Sequence, residues 1–163
     1  MNKLFTFIIA CVLLSSCNAG LDPEKQCYND SDPPRNFQKV SIDQGLWGDV
    51  WFWSGNFMPI GRGQICQARR EVHIYELTTS RDVKQIEYTP FYTEIKTKHI
   101  VTVTSGHDGF FEVNLPAGTY SIFIKEGDKY YSNSSTTSGI SPITIQQDKV
   151  EEVRIDITYQ AVF

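Results

Sequence analysis

Residues 108–125 read Asp-Gly-Phe-Phe-Glu-Val-Asn-Leu-Pro-Ala-Gly-Thr-Tyr-Ser-Ile-Phe-Ile-Lys, and this run predicts a β-hairpin. The pair Asp108-Gly109 is a turn signal, because glycine tolerates positive φ and aspartate bonds to its own backbone. Pro116 lacks an N–H donor and ends the first strand. Apolar residues alternate with polar ones on either side of it, at Phe111, Val113, Leu115, Tyr120, Ile122 and Ile124. This period of two places one face of each strand in a core.

The rest of the chain repeats such short alternations. Further candidate strands are Val40–Trp53, Arg70–Leu77, Phe91–Ile95, His99–Thr104, Pro142–Ile145 and Val150–Tyr159. The segments 57–64, 78–90 and 130–139 are predicted to be loops, and no window beyond the N-terminal apolar run has helical spacing. Because one sheet cannot cover both of its aromatic faces, the sequence predicts an all-β fold, a seven-stranded antiparallel β-sandwich.

The N-terminus carries an export signal. Lys3 supplies a positive charge, and Leu4–Leu14 is an apolar run too short to span a membrane. The run ends in Leu14-Ser15-Ser16-Cys17, which resembles the site where bacterial lipoproteins are cleaved and lipidated. We expect residues 1–16 to be a lipoprotein signal peptide and Cys17 to carry the lipid anchor. The alternative is an ordinary secretory signal.

Three segments follow from this interpretation. Residues 1–16 are the signal peptide, residues 17–39 are a lipidated, turn-rich tether, and residues 40–163 are the β-sandwich domain. Asn18, directly after Cys17, is not the Asp that resembles an inner-membrane retention signal. We therefore expect the protein in the bacterial cell envelope, anchored to the outer membrane through its lipid.

The charge balance restricts the partners. The chain has 15 basic and 19 acidic residues and a net charge of −4. This excess argues against nucleic acid as a partner, which would require a basic face. No polybasic patch is present for anionic lipids either, so attachment to the membrane should depend on the lipid at Cys17.

The cysteines predict a single crosslink. Cys11 lies in the signal peptide and Cys17 is the expected lipidation site, which leaves Cys27 and Cys66. An even pair in an exported chain favours a disulfide. The alternatives are two free thiols or zinc, and two cysteines without neighbouring histidines make a poor zinc site.

A tryptophan cluster is the sequence feature most typical of a binding site. Trp47, Trp51 and Trp53 lie within seven residues on one candidate strand. Exposed aromatic rings stack on sugar rings or anchor partner proteins. The alternative is that these rings fill or cover the core. The alternation leaves open whether Val50 and Phe52, or Trp51 and Trp53, face inward.

Several of these motifs together resemble the carboxypeptidase regulatory-like domain. The matching segments, which cover residues 45–163, are Gly48-x-Val50, Gly55-Asn56-x-Met58-Pro59, Arg70–Thr78, Asp108–Ser121, Ile140-x-Pro142 and Tyr159-x-Ala161. The chain is similar to small lipoproteins of the Bacteroidetes type that consist of this domain alone. The resemblance implies a transthyretin-like (prealbumin-like) sandwich. It implies no particular activity, since this domain occurs in enzymes, receptors and surface proteins.

Two enzyme groups with this kind of sandwich were compared by residue. Hydroxyisourate hydrolases end in Tyr-Arg-Gly-Ser, whereas this chain has Tyr159-Gln160-Ala161-Val162. Intradiol dioxygenases hold iron with two tyrosines and two histidines, and none of His73, His99 and His107 stands in a paired motif with tyrosine. Each histidine taken alone is interpreted as a surface residue. We therefore expect no catalytic residues, no metal site and no cofactor.

These observations favour a non-catalytic, membrane-anchored β-sandwich lipoprotein that serves as a structural or interaction module of the cell envelope. Its partners would be the membrane, through Cys17, and an envelope protein or a glycan. The main alternative is a glycan- or peptide-binding lipoprotein serving an outer-membrane transporter, with Trp47, Trp51 and Trp53 as ligand-binding residues. A hydrolytic or metal-dependent enzyme on the same scaffold is a weaker alternative.

Overall fold

The computed structural model describes residues 26–29 and 33–163, and these residues form an all-β protein. The only helix in the described ranges is one 3-10 turn, Phe37–Lys39. The strands of these ranges are β1 Cys27–Tyr28, β2 Gly45–Asn56, β3 Gly63–Gln67, β4 Glu71–Glu76, β5 Val83–Gln85, β6 Phe91–Ile95, β7 His99–Thr104, β8 Phe110–Asn114, β9 Gly118–Glu126, β10 Lys129–Tyr131, β11 Pro142–Ile145 and β12 Val150–Val162. The all-β prediction is confirmed.

The strands form two sheets. The first has the order β1-β3-β2-β12, and β8 pairs with the N-terminal half of β2 on the edge that β3 uses further along. The second has the order β5-β6-β10-β9-β4-β7, and β11 and β10 share one edge of β9 in the same manner. The twelve strands exceed the predicted seven, because the two long strands β2 and β9 each pair with two short strands along one edge.

One strand pair corrects the antiparallel prediction. β12 runs parallel to β2 from the pair Val150–Gly45 to the pair Val162–Asn56, with a register shift between Ile157 and Gln160. A short turn can only join antiparallel neighbours, whereas a parallel pair needs a long connection. The two strands lie at opposite ends of the domain sequence, so the rest of the fold provides that connection.

The predicted hairpin is also corrected. Its two strands exist as β8 and β9, but they do not pair with each other: β8 pairs with β2 in the first sheet and β9 pairs with β4 in the second. The segment 115–117 therefore crosses from one layer to the other. Apolar alternation shows which face of a strand is buried. It does not specify the neighbouring strand, because a strand has the same alternation whichever strand it pairs with.

The two sheets enclose one core, as the layers of a sandwich do. Buried residues of the first sheet (Leu46, Val50, Phe111 and Ile157) pack in one cluster with those of the second (Val72, Ile74, Ile122 and Ile124). Leu46 and Val50 are fully buried, and Phe52 packs against the same cluster. This settles the open alternative for β2: its even-numbered residues face the core.

The outer face of β2 carries all three tryptophans, and the chain that precedes β2 covers part of it. Trp47 and Trp51 are 6% and 2% exposed. Trp51 meets the ring of Tyr28 edge-on at 5.8 Å, and Trp47 lies 6.3 Å from the ring of Phe110. In the segment 33–39, assigned by sequence to the tether, Pro33 and Asn36 are buried. Part of the predicted tether is therefore built into the folded unit.

The predicted disulfide is confirmed. Cys27 and Cys66 are bonded and stand directly opposite each other on β1 and β3, with their Cα atoms 4.0 Å apart. The bond fixes the short strand β1 to the first sheet. The signal peptide and Cys17 lie outside the described residues. Within the described ranges, no helix has the length and apolar character needed to cross a bilayer.

Candidate functional site

The end of the first sheet carries an aromatic tip, which we define as Trp53, Phe57, Met58, Ile60, Val162 and Phe163. It forms where β2 and β12 end together and the loop 57–62 leads into β3. The N–H of Phe57 donates a hydrogen bond to the carbonyl of Val162 at 2.8 Å, which holds the loop against β12. The ring of Phe57 covers Gly63 so closely that a Cβ there would lie 2.5 Å from it. A side chain at position 63 would therefore displace the Phe57 ring from this position.

The three rings of the tip pack against one another, with Phe57 and Phe163 stacked and Trp53 tilted against both. The ring centroids of Trp53 and Phe57 are 5.0 Å apart, those of Phe57 and Phe163 are 5.6 Å apart, and those of Trp53 and Phe163 are 6.0 Å apart. Such separations lie in the range where aromatic pairs attract beyond simple burial. Each ring of the tip is therefore in contact with the other two.

The rest of the tip exposes apolar surface to solvent. Ile60 is completely exposed, and Phe163, Val162 and Met58 are 66%, 58% and 49% exposed. Arg62 is the only charged residue in the two segments 56–64 and 158–163. An exposed group of large apolar side chains with no acidic side chain among them is typical of a contact surface rather than of an ordinary solvated one.

Two polar side chains of β12, Arg154 and Asp156, hold the Trp53 indole in place. The indole N–H of Trp53 donates to Oδ1 of Asp156 at 2.7 Å, and Nε of Arg154 donates to the same oxygen at 3.0 Å. The guanidinium of Arg154 lies 5.9 Å from the Trp53 ring. These contacts hold the indole in one orientation, so Trp53 presents its remaining free surface in a fixed position.

A shallow groove of about 610 Å³ runs beside the tip. Phe57 and Met58 form one wall, and Asn29, Asn56, Arg62 and Gln64 supply amide and guanidinium groups. The groove therefore combines an aromatic wall with several hydrogen-bonding side chains.

Of the three tryptophans predicted to bind a ligand, only Trp53 is partly exposed. Trp47 packs against Phe110 of β8 and Trp51 against Tyr28 of β1, and both are buried, so neither presents a ring face to a ligand. Sequence reasoning did not find the other members of the tip. Phe57 lies only four residues from Trp53, but Val162 and Phe163 come from the other end of the chain and reach it through the parallel pairing of β12 with β2.

A second group of functional side chains lies on the outer face of the second sheet. His73 on β4 and His99 on β7 have their ring centroids 5.6 Å apart. Nδ1 of His73 and Nε2 of His99 lie 3.2 Å and 2.8 Å from Oγ1 of Thr102, and Nε2 of His73 lies 3.2 Å from a carboxylate oxygen of Glu71. Burial lowers the pKa of His73, although the hydrogen bond and charge of Glu71 act in the opposite direction. His73 is therefore mainly neutral at pH 7.

Tyrosines surround these histidines. Tyr75 meets His99 edge-on at 5.1 Å, and Tyr130 meets His73 edge-on at 5.3 Å. Burial raises the pKa of Tyr75, and the hydrogen bond with Tyr130 raises it further. His107, the third histidine, lies apart on a loop, with Nε2 3.4 Å from the guanidinium of Arg69. The proximity of His73 and His99 could not be predicted from the sequence, because it depends on the pairing of β4 with β7.

Among residues 26–29 and 33–163, no three side chains of His, Cys, Asp or Glu are grouped so that they could hold a metal ion. No protein-family model, no curated protein and no solved structure matches the chain. The carboxypeptidase regulatory-like resemblance thus stays a prediction, and the functional argument rests on the geometry described above.

Proposed function

We propose that this protein is a non-catalytic, lipid-anchored β-sandwich lipoprotein of the bacterial cell envelope that acts as an interaction module through its aromatic tip. The observation that carries the proposal is the exposure of four apolar side chains around the packed rings of the tip. These side chains are Met58, Ile60, Val162 and Phe163. The envelope location and the anchor rest on the sequence pattern that ends at Cys17. The transthyretin-like, carboxypeptidase regulatory-like assignment is part of the same proposal.

The tip has the physical properties of a protein-binding surface. Burial of apolar surface contributes about 25 cal/mol per Å² removed from water. Binding also costs the ordering of side chains, and that cost is small when the rings are already packed together. Trp53, Phe57 and Phe163 are held by one another and by Asp156 before any partner arrives. Aromatic residues of this kind supply much of the energy at protein interfaces.

The anchor would keep the tip close to other envelope proteins. Gln26, where the described chain begins, lies nine positions after Cys17. A fully extended chain of that length spans about 30 Å. Since the Cys27–Cys66 disulfide fixes the chain to the first sheet directly afterwards, the domain would remain within that distance of the bilayer.

The interaction surface is tested by site-specific photocrosslinking in cells that express the full chain. A photoreactive residue at Ile60 should give a discrete adduct with an envelope protein. The matched control is Tyr88, which is equally exposed but lies on the loop between β5 and β6. The same adducts from both positions, or none from Ile60, would contradict the proposed surface.

The anchor is tested separately by Cys17→Ala. The variant should leave the membrane fraction, whereas the unchanged chain should remain there and release only with detergent. Equal membrane association of the two proteins would refute lipidation at Cys17. The crosslinking test of the interaction surface does not depend on that outcome.

The groove beside the tip favours a second candidate, a glycan- or peptide-binding lipoprotein that serves an outer-membrane transporter. Its amide and guanidinium groups match hydroxyl or peptide partners, and Phe57 offers a ring wall. A glycan array with Phe57→Ala and Trp53→Ala distinguishes this candidate. Binding that either substitution abolishes supports it. The absence of binding, or binding indifferent to both, removes the glycan version.

A further inference from the structure

His73 and His99 direct one ring nitrogen each toward the same point on the surface of the second sheet. We propose that this pair is a binding site for a divalent transition-metal cation that prefers imidazole ligands, such as Zn²⁺, Ni²⁺ or Cu²⁺, and that Glu71 is its positioning residue. This site is independent of the aromatic tip, which lies at the end of the other sheet.

The register of two neighbouring strands creates the pair. His73 on β4 stands opposite Thr102 on β7, and Tyr75 stands opposite His99 after a register shift between Ile74 and Tyr75. The shift corresponds to a bulge, which re-aims side chains relative to a regular ladder. As a result, both histidines and Thr102 share one face of the sheet.

The two nitrogens converge on a single atom. Nδ1 of His73 lies 3.2 Å from Oγ1 of Thr102, and Nε2 of His99 lies 2.8 Å from the same oxygen. A zinc ion lies about 2.0–2.1 Å from an imidazole nitrogen. A small movement of the two rings would let a cation occupy the space between them, where it replaces the hydrogen bonds that Thr102 makes.

Glu71 prepares His73 for this role. Its carboxylate lies 3.2 Å from Nε2 of His73 and accepts the N–H of that nitrogen. This hydrogen bond favours the tautomer in which Nδ1 carries the free lone pair, directed toward Thr102. Metal-binding histidines commonly donate their other N–H to a carboxylate in this way, which fixes the ring and raises its basicity.

The surroundings hold the rings while leaving access from solvent. Tyr75 and Tyr130 contact the two imidazoles edge-on, and Tyr75 is itself only 6% exposed. The His73 side chain keeps 13% of its surface exposed, and His99 is exposed. A hydrated cation can therefore reach both nitrogens without a change of fold.

The ligand set indicates which cations fit. Two imidazole ligands without a thiolate suit Zn²⁺, Ni²⁺ and Cu²⁺ better than Mg²⁺ or Ca²⁺, which require oxygen ligands. No third strong ligand joins the pair within the described part of the chain, so water or a partner's side chain would complete the coordination. Lys125, whose ammonium lies 4.1 Å from the centre of the Tyr130 ring, opposes a bound cation. The affinity therefore depends on the two imidazoles rather than on a negative field.

Calorimetric titration of the full chain with Zn²⁺, without a histidine tag and in a buffer that does not bind metals, tests the site. We expect one Zn²⁺ per chain and an affinity at least ten-fold lower in His73→Ala and in His99→Ala. His107→Ala is the matched control and should bind like the unchanged chain. The proposal is overturned if Zn²⁺ does not saturate a site, or if either pair variant binds as tightly as His107→Ala.

A measurement on the unchanged chain makes the test independent of whether the variants fold. Zn²⁺ should shift the ring resonances of His73 and His99 in NMR spectra and leave those of His107 in place. Shifts confined to His107, or spread equally over all three, refute the site.

Glu71→Gln tests the positioning role. The variant should bind Zn²⁺ about 10- to 100-fold more weakly, as is typical for the loss of a carboxylate behind a metal-binding histidine. Imidazole ¹⁵N shifts should show the Nε2–H tautomer of His73 in the unchanged chain and a mixture in the variant. Unchanged affinity together with an unchanged tautomer would contradict the role assigned to Glu71.

Discussion

Asn36 holds the carboxylate of Asp49 from outside the first sheet. Its backbone N–H donates to Oδ2 at 3.2 Å and its side-chain Nδ2 donates to Oδ1 at 2.6 Å, and both residues are more than nine-tenths buried. Asp49 shares the outer face of β2 with the three tryptophans. The bond therefore fastens the N-terminal segment to this face, on which Tyr28 packs against Trp51 and Phe110 of β8 packs against Trp47. Trp53 remains the partly exposed ring.

Asn36→Ala should lower the free energy of unfolding by about 1.5–3 kcal/mol, since it removes the side-chain hydrogen bond to a buried carboxylate and leaves only the backbone one. Urea unfolding followed by tryptophan fluorescence measures the change. Gln38→Ala, in the exposed part of the same 3-10 turn, is the control and should stay within about 0.5 kcal/mol of the unchanged chain. Equal effects of the two substitutions would contradict the role of Asn36.

Loss of the Cys27–Cys66 bond should destabilise the domain by about 3–4 kcal/mol, because the bond restricts the unfolded chain over a separation of 39 residues. The double variant Cys27→Ser, Cys66→Ser should unfold at lower urea concentration than the oxidised chain. Reductant should bring the unchanged chain to the same midpoint and leave the double variant where it was. A reductant effect on the double variant would show that another bond is involved.

Substitutions at two glycines distinguish the energetic cost of backbone strain from the cost of a close contact. Gly109 (φ +79°) and Gly127 (φ +62°) both adopt the left-handed region, but a Cβ at Gly109 would lie 2.5 Å from the carbonyl oxygen of Val50, whereas nothing lies within 4 Å of one at Gly127. Gly127→Ala should cost about 1–2 kcal/mol for the conformation alone. Gly109→Ala should cost about 1–3 kcal/mol more, since the backbone of β2 cannot move aside without strain.

The comparison of the two variants is made by thermal or urea unfolding under identical conditions. Equal losses at Gly109 and Gly127 would mean that the close approach to Val50 has no energetic consequence.

Acid should weaken the attachment of the N-terminal segment to β8. Burial by itself raises the pKa of Asp108, but the hydrogen bond and charge of Lys39, together with the backbone N–H of Phe110, outweigh it, and the pKa lies below its usual value. Hydrogen bonds from the Ser41 hydroxyl and backbone N–H lower the pKa of Glu112. A carboxyl group with a lowered pKa in the folded state stabilises the fold above its unfolded pKa. That contribution is lost as the pH falls through the folded pKa.

Urea midpoints measured between pH 6 and pH 2 should therefore decrease most steeply below the usual carboxyl pKa of about 4. Asp108→Asn should lower stability at pH 6 and make the decrease on acidification smaller. The control is Asp128→Asn, at an exposed turn, which should leave the urea midpoint at pH 6 close to that of the unchanged chain. A profile for Asp108→Asn that runs parallel to that of the unchanged chain would show that Asp108 is not linked to stability.

The sequence located most strands with little error. The predicted strands Phe91–Ile95, His99–Thr104 and Pro142–Ile145 coincide with β6, β7 and β11. Strong apolar alternation supports such predictions, because the burial of one face is a local property of the pattern. Four strands were missed. β1 lies in the predicted tether, and β3, β5 and β10 lie in or overlap the segments 57–64, 78–90 and 130–139, where glycine, serine and polar residues weaken the alternation.

The candidate sites were predicted from the sequence less completely than the strands. Cys27 and Cys66 could be paired by elimination, since two cysteines remained after Cys11 and Cys17 were assigned. Trp53 could be named as a binding residue but not separated from Trp47 and Trp51, because all three occupy the same face of β2. Only the path of the N-terminal segment distinguishes them.

By itself the sequence determined the all-β class, the single crosslink, and the faces of most strands, because these depend on residue type and on a period of two along one segment. The tertiary structure decided which strands are neighbours: β8 and β9 separate into two layers, β12 brings Phe163 to Trp53, and β7 brings His99 to His73. Strand pairing joins residues far apart in the chain, and many partners satisfy the same local pattern. The sites that depend on pairing therefore became visible only once the two sheets were assembled.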